Sequence, residues 1–257
     1  MNQKLANATS LYMDGIRDGN VRRAVETYTG DRYTQHSTGV ADGVEGFVEF
    51  FEPFVARNPD RDIRIVRSLV DGNHVFVQAY QDINNGEARW VTTDLFDTDD
   101  DDKIIEHWDV IAAYDDEPSV NGHTRLDGPT EITDDDRTEA NKALVASFVD
   151  EVLVDRRVER LDDFVSADTY VQHNPQMPDG SDAFREFMSG AGATTRYLEV
   201  FALVGQGNFV VTYSRVDVDG TEMAVFDIYR VDDGRIVEHW DNAEPTPQGP
   251  QPNGGKF

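Results

Sequence analysis

The sequence predicts an α+β chain built from two similar halves, each with about three helices packed on a curved antiparallel sheet. Three observations lead there. Ile104-Ile105-Glu106-His107-Trp108-Asp109 returns as Ile236-Val237-Glu238-His239-Trp240-Asp241, 132 residues later in a chain of 257. A period that long belongs to a whole domain, not to a solenoid repeat. Within each half, segments of helical spacing come first, and segments of period-two alternation come after them.

In the first half, helices are expected over residues 5–18, 21–29 and 43–56. In the second they are expected over 139–153, 158–165 and 181–188, where Leu144, Phe148, Val152 and Leu153 fall near one helical face. Strands are expected over 62–70, 73–82, 88–98 and 103–112, and over 196–204, 209–218, 221–231 and 235–243. Asp71-Gly72-Asn73, Asn84-Asn85-Gly86, Asp219-Gly220 and Asp232-Asp233-Gly234 supply the hairpin turns. Helices followed by an antiparallel meander make an α+β layer. A sheet that curls over its helices leaves a cone with an apolar interior, a natural small-molecule pocket.

The match extends beyond the two Trp segments. Tyr33-Thr34-Gln35-His36 aligns with Tyr170-Val171-Gln172-His173, Asp42-Gly43 with Asp179-Gly180, and Asp94-Leu95-Phe96 with Asp227-Ile228-Tyr229. Four of the six histidines sit in matched pairs. Asn121-Gly122 falls on Asn253-Gly254, so each copy is expected to finish with its own Pro/Gly-rich tail. The expected boundaries are 1–125 for copy one, 126–137 for the linker, with Asp127-Gly128-Pro129 as breaker, and 138–257 for copy two.

Composition narrows the chemistry. With 50 acidic and 23 basic residues the net charge is −27, which disfavours nucleic acid and anionic membranes as partners. The acidic groups are spread along the chain, as on a surface suited to a high-salt cytoplasm. The absence of cysteine removes disulfides and thiolate chemistry. No apolar run is long enough to cross a bilayer, and the first residues lack an export pattern. A cytoplasmic location is expected.

Tyr-x-Gln-His, Asp-Gly, Phe-x-x-Phe, Asp-(Leu/Ile)-(Phe/Tyr) and Ile-(Ile/Val)-Glu-His-Trp-Asp together resemble the SnoaL-like, polyketide cyclase-like group of the nuclear transport factor 2-like (NTF2-like) superfamily. The resemblance covers nearly the whole chain, twice. Copy two, with Asn174-Pro175 after His173, looks closer to the pattern than copy one, with Ser37-Thr38. The resemblance implies two cone-shaped barrels, each with a deep pocket. It also implies an aspartate base that removes a proton alpha to a carbonyl, and no metal or organic cofactor. The two copies are expected to pack as an internal pseudo-dimer, with further association of whole chains open.

Alternate residues of a strand share a face, so His107 and Asp109 point together, as do His239 and Asp241. On this reading Asp109 and Asp241 are the bases, His107 and His239 their proton partners, and His36 and His173 enolate stabilisers. Tyr33, Asp94 and Phe96, with Tyr170, Asn174, Asp227 and Tyr229, line the substrate pockets. Each group also has a structural reading. A buried His–Asp pair satisfies a core, a turn histidine fixes a turn, a strand aspartate faces solvent, and the tryptophans pack. No metal site is expected, because the histidines lack tight spacing. Copy two is expected to be the better-kept site.

The charge carries one test. Self-repulsion is screened by salt, so the melting temperature measured by circular dichroism is expected to rise from low to molar salt; an unchanged value would contradict the reading.

Overall fold

The computed structural model describes residues 2–115 and 119–257. The chain forms two compact units, Met1–Asp115 with Thr246–Phe257, and Asp116–Pro245.

In the first unit, α1 (Gln3–Ser10) runs directly into a π-helical segment, Leu11–Arg17. The Asn2 side chain accepts from Leu5 N at 3.2 Å and caps the start. Next come α2 (Val21–Tyr28), β1 (Thr29–Gln35) and α3 (Gly43–Arg57). The meander β2 (Arg61–Asp71), β3 (His74–Ile83), β4 (Ala88–Thr98) and β5 (Ile104–Ala113) completes it. The strand order is β1-β5-β4-β3-β2, with β1 parallel to β5 and every other pair antiparallel.

The second unit repeats this plan. α4 (Thr138–Phe148) continues into a π-helical segment, Val149–Val154, and a 3₁₀ turn, Val158–Asp163, takes the place of α2. After it come β6 (Val171–Gln172), α5 (Ser181–Ser189), β7 (Arg196–Gln206), β8 (Phe209–Val218), β9 (Thr221–Asp232) and β10 (Arg235–Pro245). Its order, β6-β10-β9-β8-β7, is the same. Each core lies between helices and sheet, around Leu11, Phe47, Ile63 and Phe96 in one unit and Phe148, Leu161, Phe184 and Tyr229 in the other.

The eight meander strands fall within two residues of their expected bounds, and the hairpin turns hold the left-handed backbone their residues favour. Asn84, Asn85, Asp219 and Asp233 have φ of 51°, 58°, 53° and 46°. Three features differ from expectation. The first helix of each copy changes from α to π midway. The 158–165 helix is a 3₁₀ turn. The short strands before His36 and His173, β1 and β6, pair in parallel with β5 and β10, which their own residues do not signal.

The unit boundaries also differ from 1–125, 126–137 and 138–257. The tail of each copy packs in the unit of the other copy's sheet. Asn253 Nδ2 donates to Ser37 O and Val40 O, both at 2.7 Å, and Asn121 Nδ2 donates to Gln172 O at 2.7 Å. The stretch expected as a free linker is bonded into the second unit. Trp240 Nε1 donates to Asp127 O at 3.0 Å, and Asn208 N donates to Thr133 O at 2.8 Å.

Gly128 lets that segment lie against the sheet. Its φ is +85°, and an added Cβ would stand 2.7 Å from both Glu238 Oε1 and Trp240 Cζ2. Gly122, at φ +84°, has open space at the same position. In urea unfolding, Gly122→Ala is expected to cost only the left-handed strain, about 1 kcal/mol. Gly128→Ala is expected to cost roughly 2–4 kcal/mol, because the clash adds to that strain. Equal effects would show that the segment does not pack tightly.

Candidate functional site

The antiparallel register of β4 and β5 sets Asp94 directly opposite Asp109, with Phe96 opposite His107. The parallel pairing of β1 with β5 brings Gln35 beside His107. All of these side chains are buried. They lie at the polar end of a cavity of about 170 Å³ whose walls include Leu11, Phe47, Phe51, Phe54 and Trp90. Phe50 and Ile111, 40% and 39% exposed, also line it and mark its mouth.

Two like charges directly opposite on neighbouring strands destabilise each other, and their surroundings differ accordingly. Lys256 Nζ donates to Asp109 Oδ1 at 2.8 Å and to its backbone O at 3.0 Å, and Ser37 Oγ donates to Oδ2 at 2.6 Å. Burial pushes the Asp109 carboxyl up. The Lys256 ammonium, the nearby His107 and the two side-chain donors outweigh burial and hold it below the usual carboxylate range. Asp94 is net raised. Burial lifts it most, and the neighbouring Asp109 adds to that. The hydrogen bond and charge of His107 and the Tyr12 phenol pull it back only in part.

His107 Nε2 lies 2.9 Å from Asp94 Oδ1, and its Nδ1 lies 2.9 Å from Gln35 Oε1. Gln35 Nε2 donates to Tyr33 Oη at 2.8 Å, so its Oε1 accepts and His107 Nδ1 carries a proton. One further proton is then shared between Nε2 and Asp94. Tyr12 Oη donates to Asp94 Oδ1 at 2.7 Å. Asp94 Oδ2 is buried with no hydrogen-bond partner among the described residues.

The second unit holds the same frame, filled differently. His239 Nε2 lies 3.0 Å from Asp227 Oδ1, and Nδ1 lies 3.0 Å from Gln172 Oε1. Here Tyr197 Oη donates to Asp227 Oδ2 at 3.1 Å, the oxygen left open in Asp94. Gln172 Nε2 donates to Tyr170 Oη at 3.2 Å and touches Met177 Sδ. Tyr229 is buried with its ring 5.1 Å from that of His239. Asn174 Nδ2 donates to Asp241, which is half-buried and lacks a lysine partner of the Lys256 kind, since Thr124 occupies the matching position.

Of the residues singled out from the sequence, the fold brings Tyr33, Asp94, Phe96, His107 and Asp109 to one cavity and gathers Tyr170, Asn174, Asp227, Tyr229, His239 and Asp241 around the matching His239–Asp227 pair. Three expectations are corrected. His36 and His173 do not face these centres. They lie on the opposite sheet face, stacked on Trp108 and Trp240 at 5.0 and 4.4 Å and bonded to Glu106 and Glu238 at 3.0 and 2.8 Å. An enolate role does not fit that placement. Asp109 is an anion already satisfied by Lys256 and Ser37, so Asp94 is the better proton acceptor. And the large apolar cavity lies in copy one, while tyrosines and Met177 pack around the matching pair in copy two.

Tyr12, Gln35, Ser37 and Lys256 were not expected. Gln35 stood inside the matched Tyr-x-Gln-His motif and was readable there. Tyr12 aligns with Val149, and Lys256 is one of four lysines with no matched partner, so neither carried a signal. The ligand atoms of Asp94, His107 and Asp109 lie within 4.8 Å of one another, close enough for a metal ion. The Lys256 ammonium on Asp109 opposes a second cation there.

A family model described as SnoaL-like domain matches residues 10–107 and again 145–239. The chain belongs to the SnoaL-like family. Several solved structures resemble parts of the chain. A candidate ketosteroid isomerase from Kribbella flavida is 17% identical and covers 44% of this chain and 84% of its own, at a TM-score of 0.39. A candidate polyketide cyclase from Bacillus cereus is 18% identical over 42% of this chain and 74% of its own, at 0.38. An NTF2-like protein of unknown function from Cytophaga hutchinsonii is 17% identical over 46% and 95%, at 0.36. No curated protein matches the chain significantly.

Lys256 offers a direct test. Because Asp109 is held low, its contribution to stability is present above the ordinary carboxylate pKa and is lost as pH falls through the depressed value. Lys256→Met leaves a buried, uncompensated carboxylate and reverses the sign, so the loss grows as pH rises. Urea unfolding near neutral pH is expected to show roughly 3–5 kcal/mol of destabilisation, shrinking below pH 4. A pH-independent loss would mean that the lysine only packs.

Proposed function

We propose that the first SnoaL-like copy binds a small, largely apolar carbonyl compound and moves a proton on it without a cofactor. The observation that carries this is Asp94 Oδ2, a buried carboxylate oxygen with no partner among the described residues, on an aspartate at the polar end of a largely apolar cavity. A cavity of about 170 Å³ suits a single-ring compound, since a 150 Å³ apolar cavity accepts benzene.

The hydrogen bonds assign the roles. With the shared proton on His107, Asp94 is ionised and Oδ2 can take a proton alpha to the carbonyl. Tyr33 accepts from Gln35 and keeps its own O–H for a ligand oxygen. Burial pushes that phenol up, so it stays a donor. Asp109, fixed by Lys256 and Ser37, keeps a negative charge facing the pair. Isomerisation, aldol-type cyclisation and dehydration all use such a proton transfer. In the second copy Tyr197 already occupies the matching oxygen, which favours a non-catalytic, structural role for that half.

A panel of monocyclic ketones, ranked by thermal shift in high salt, supplies ligands. Exchange of their α-protons in D₂O, followed by proton NMR, reads the chemistry. Asp94→Asn is expected to cut exchange by about 10²–10⁴-fold while ligand binding persists. Because Asp94 is net raised, the wild-type rate should fall toward acid at a pH above the ordinary carboxylate value of 3.8. Exchange that is absent in the wild type, or unchanged in Asp94→Asn, overturns the proposal.

A further inference from the structure

A second cluster lies outside the cavity, in the Asp116–Pro245 unit, where the segment around residues 121–128 crosses the outer face of its sheet. His173 is buried there, with three oxygens around its ring. Nε2 lies 2.8 Å from Glu238 Oε1, while Nδ1 lies 2.8 Å from Asp127 Oδ1 and 2.8 Å from Thr124 O. A carboxylate and a carbonyl only accept, and a neutral imidazole has a single N–H. With Nε2 donating to Glu238, the lone pair of Nδ1 faces oxygen lone pairs. A cation between them, either a proton or a metal ion, removes that conflict.

The neighbourhood favours the metal ion. The His123 ring lies 5.1 Å from His173. Its Nδ1 is 3.7 Å from Asp127 Oδ2, and its Nε2 is 3.5 Å from Asp179 Oδ2. Those separations are too long for good hydrogen bonds. The first of them, between two atoms that would share the ion, approaches the spacing of about 3.0–3.5 Å expected of ligands at 2.0–2.1 Å. The ligand atoms of His123, Asp127 and His173 lie within 4.8 Å of one another. Both histidines also place their second nitrogen toward a carboxylate, Glu238 and Asp179. That is the arrangement that orients and strengthens metal-bound imidazole. Glu238 is itself fixed by Arg230, whose Nε donates to Oε2 at 2.6 Å.

We propose that His123, His173 and Asp127 bind a divalent first-row metal ion, with Thr124 O beside them, and that Zn²⁺ suits this nitrogen-and-oxygen set. The site is specific to one copy. Gly255 stands where His123 would fall in the other, and its carbonyl simply accepts from His36 Nδ1 at 2.7 Å. Bound there, the ion clamps the 121–128 segment to β10 through His173 and Glu238. This departs from the sequence expectation that no metal site exists.

The test uses the full chain stripped by chelator, titrated calorimetrically with Zn²⁺ in molar KCl and excess Mg²⁺ to silence diffuse binding by surface carboxylates. One site per chain and a raised melting temperature are expected. His123→Gln should weaken binding a hundredfold or more and abolish the rise. Asp179→Asn, which removes the orienting charge but keeps an oxygen to accept from Gln172 N and Asn121 Nδ2, should weaken binding about 10–100-fold. Both positions are more than a third exposed, and circular dichroism of the metal-free variants checks that they fold. Co²⁺ gives a second readout, a visible absorption band present in the wild type and missing in His123→Gln. Wild-type zinc binding no tighter than that of His123→Gln, or affinity unchanged in both variants, overturns the proposal and leaves a protonated histidine with adventitious carboxylate binding only.

Discussion

The register of two antiparallel strands sets the terms for the rest of the first unit. It buries Asp94 opposite Asp109, two carboxyl groups that repel each other where little water can screen them. Neither can be accommodated alone, because an isolated buried carboxylate is costly and neutralises instead. The surroundings therefore treat the two unequally. One receives an ammonium and a hydroxyl and is held charged. The other receives an imidazole that shares its proton and a phenol that donates to it. Two groups with opposing shifts are how a pocket separates a fixed charge from a proton carrier. Ketosteroid isomerase is itself a known instance of that separation, so the logic is borrowed from it.

The duplication lets the same frame be read twice. Asp227 and Asp241 are opposed in the same register, and His239 and Gln172 repeat His107 and Gln35. The phenol that bonds the first aspartate of each pair comes from a different element in each copy. In copy one it is Tyr12, on the π-helical segment, where copy two has Val149. In copy two it is Tyr197, on β7, where the β-sheet pairing puts Ile63 in copy one. Both solutions bond a buried carboxylate, but at different oxygens. Tyr12 bonds Oδ1 and leaves Oδ2 buried with no partner among the described residues, whereas Tyr197 bonds Oδ2.

The same contrast explains what the sequence disclosed. The meander was legible because half-buried strands alternate every two residues and Asn-Gly or Asp-Gly turns punctuate them. The facing of His107 and Asp109 came from the same period. The parallel pairing of β1 is not legible, since it depends on β5 and not on an apolar pattern of its own. Membership of the Tyr-x-Gln-His motif does not fix which sheet face His36 and His173 take. Each backs onto a tryptophan one residue out of phase with the pocket face, so the strand period itself, carried from β5 and β10 to their parallel neighbours, assigns the opposite side. Tyr12 and Lys256 reach the site across 82 and 147 residues. No local pattern encodes contacts of that separation.

The matched tails show how one local signal serves two ends. Asn121 holds Gln172 O and Asn253 holds Ser37 O and Val40 O, each in the unit of the other copy's sheet. The residues beyond each asparagine differ. After Asn253 comes Lys256, whose charge turns inward to Asp109. After Asn121 come His123 and Asp127, which gather at His173 on the outer face. A segment that must dock in any case can carry a charged group at no further backbone ordering cost. Substitutions a few residues beyond each asparagine therefore change the electrostatics of a sheet without altering its fold. In one copy that difference tunes the pocket aspartates, and in the other it assembles a set of nitrogen and oxygen donors at the surface.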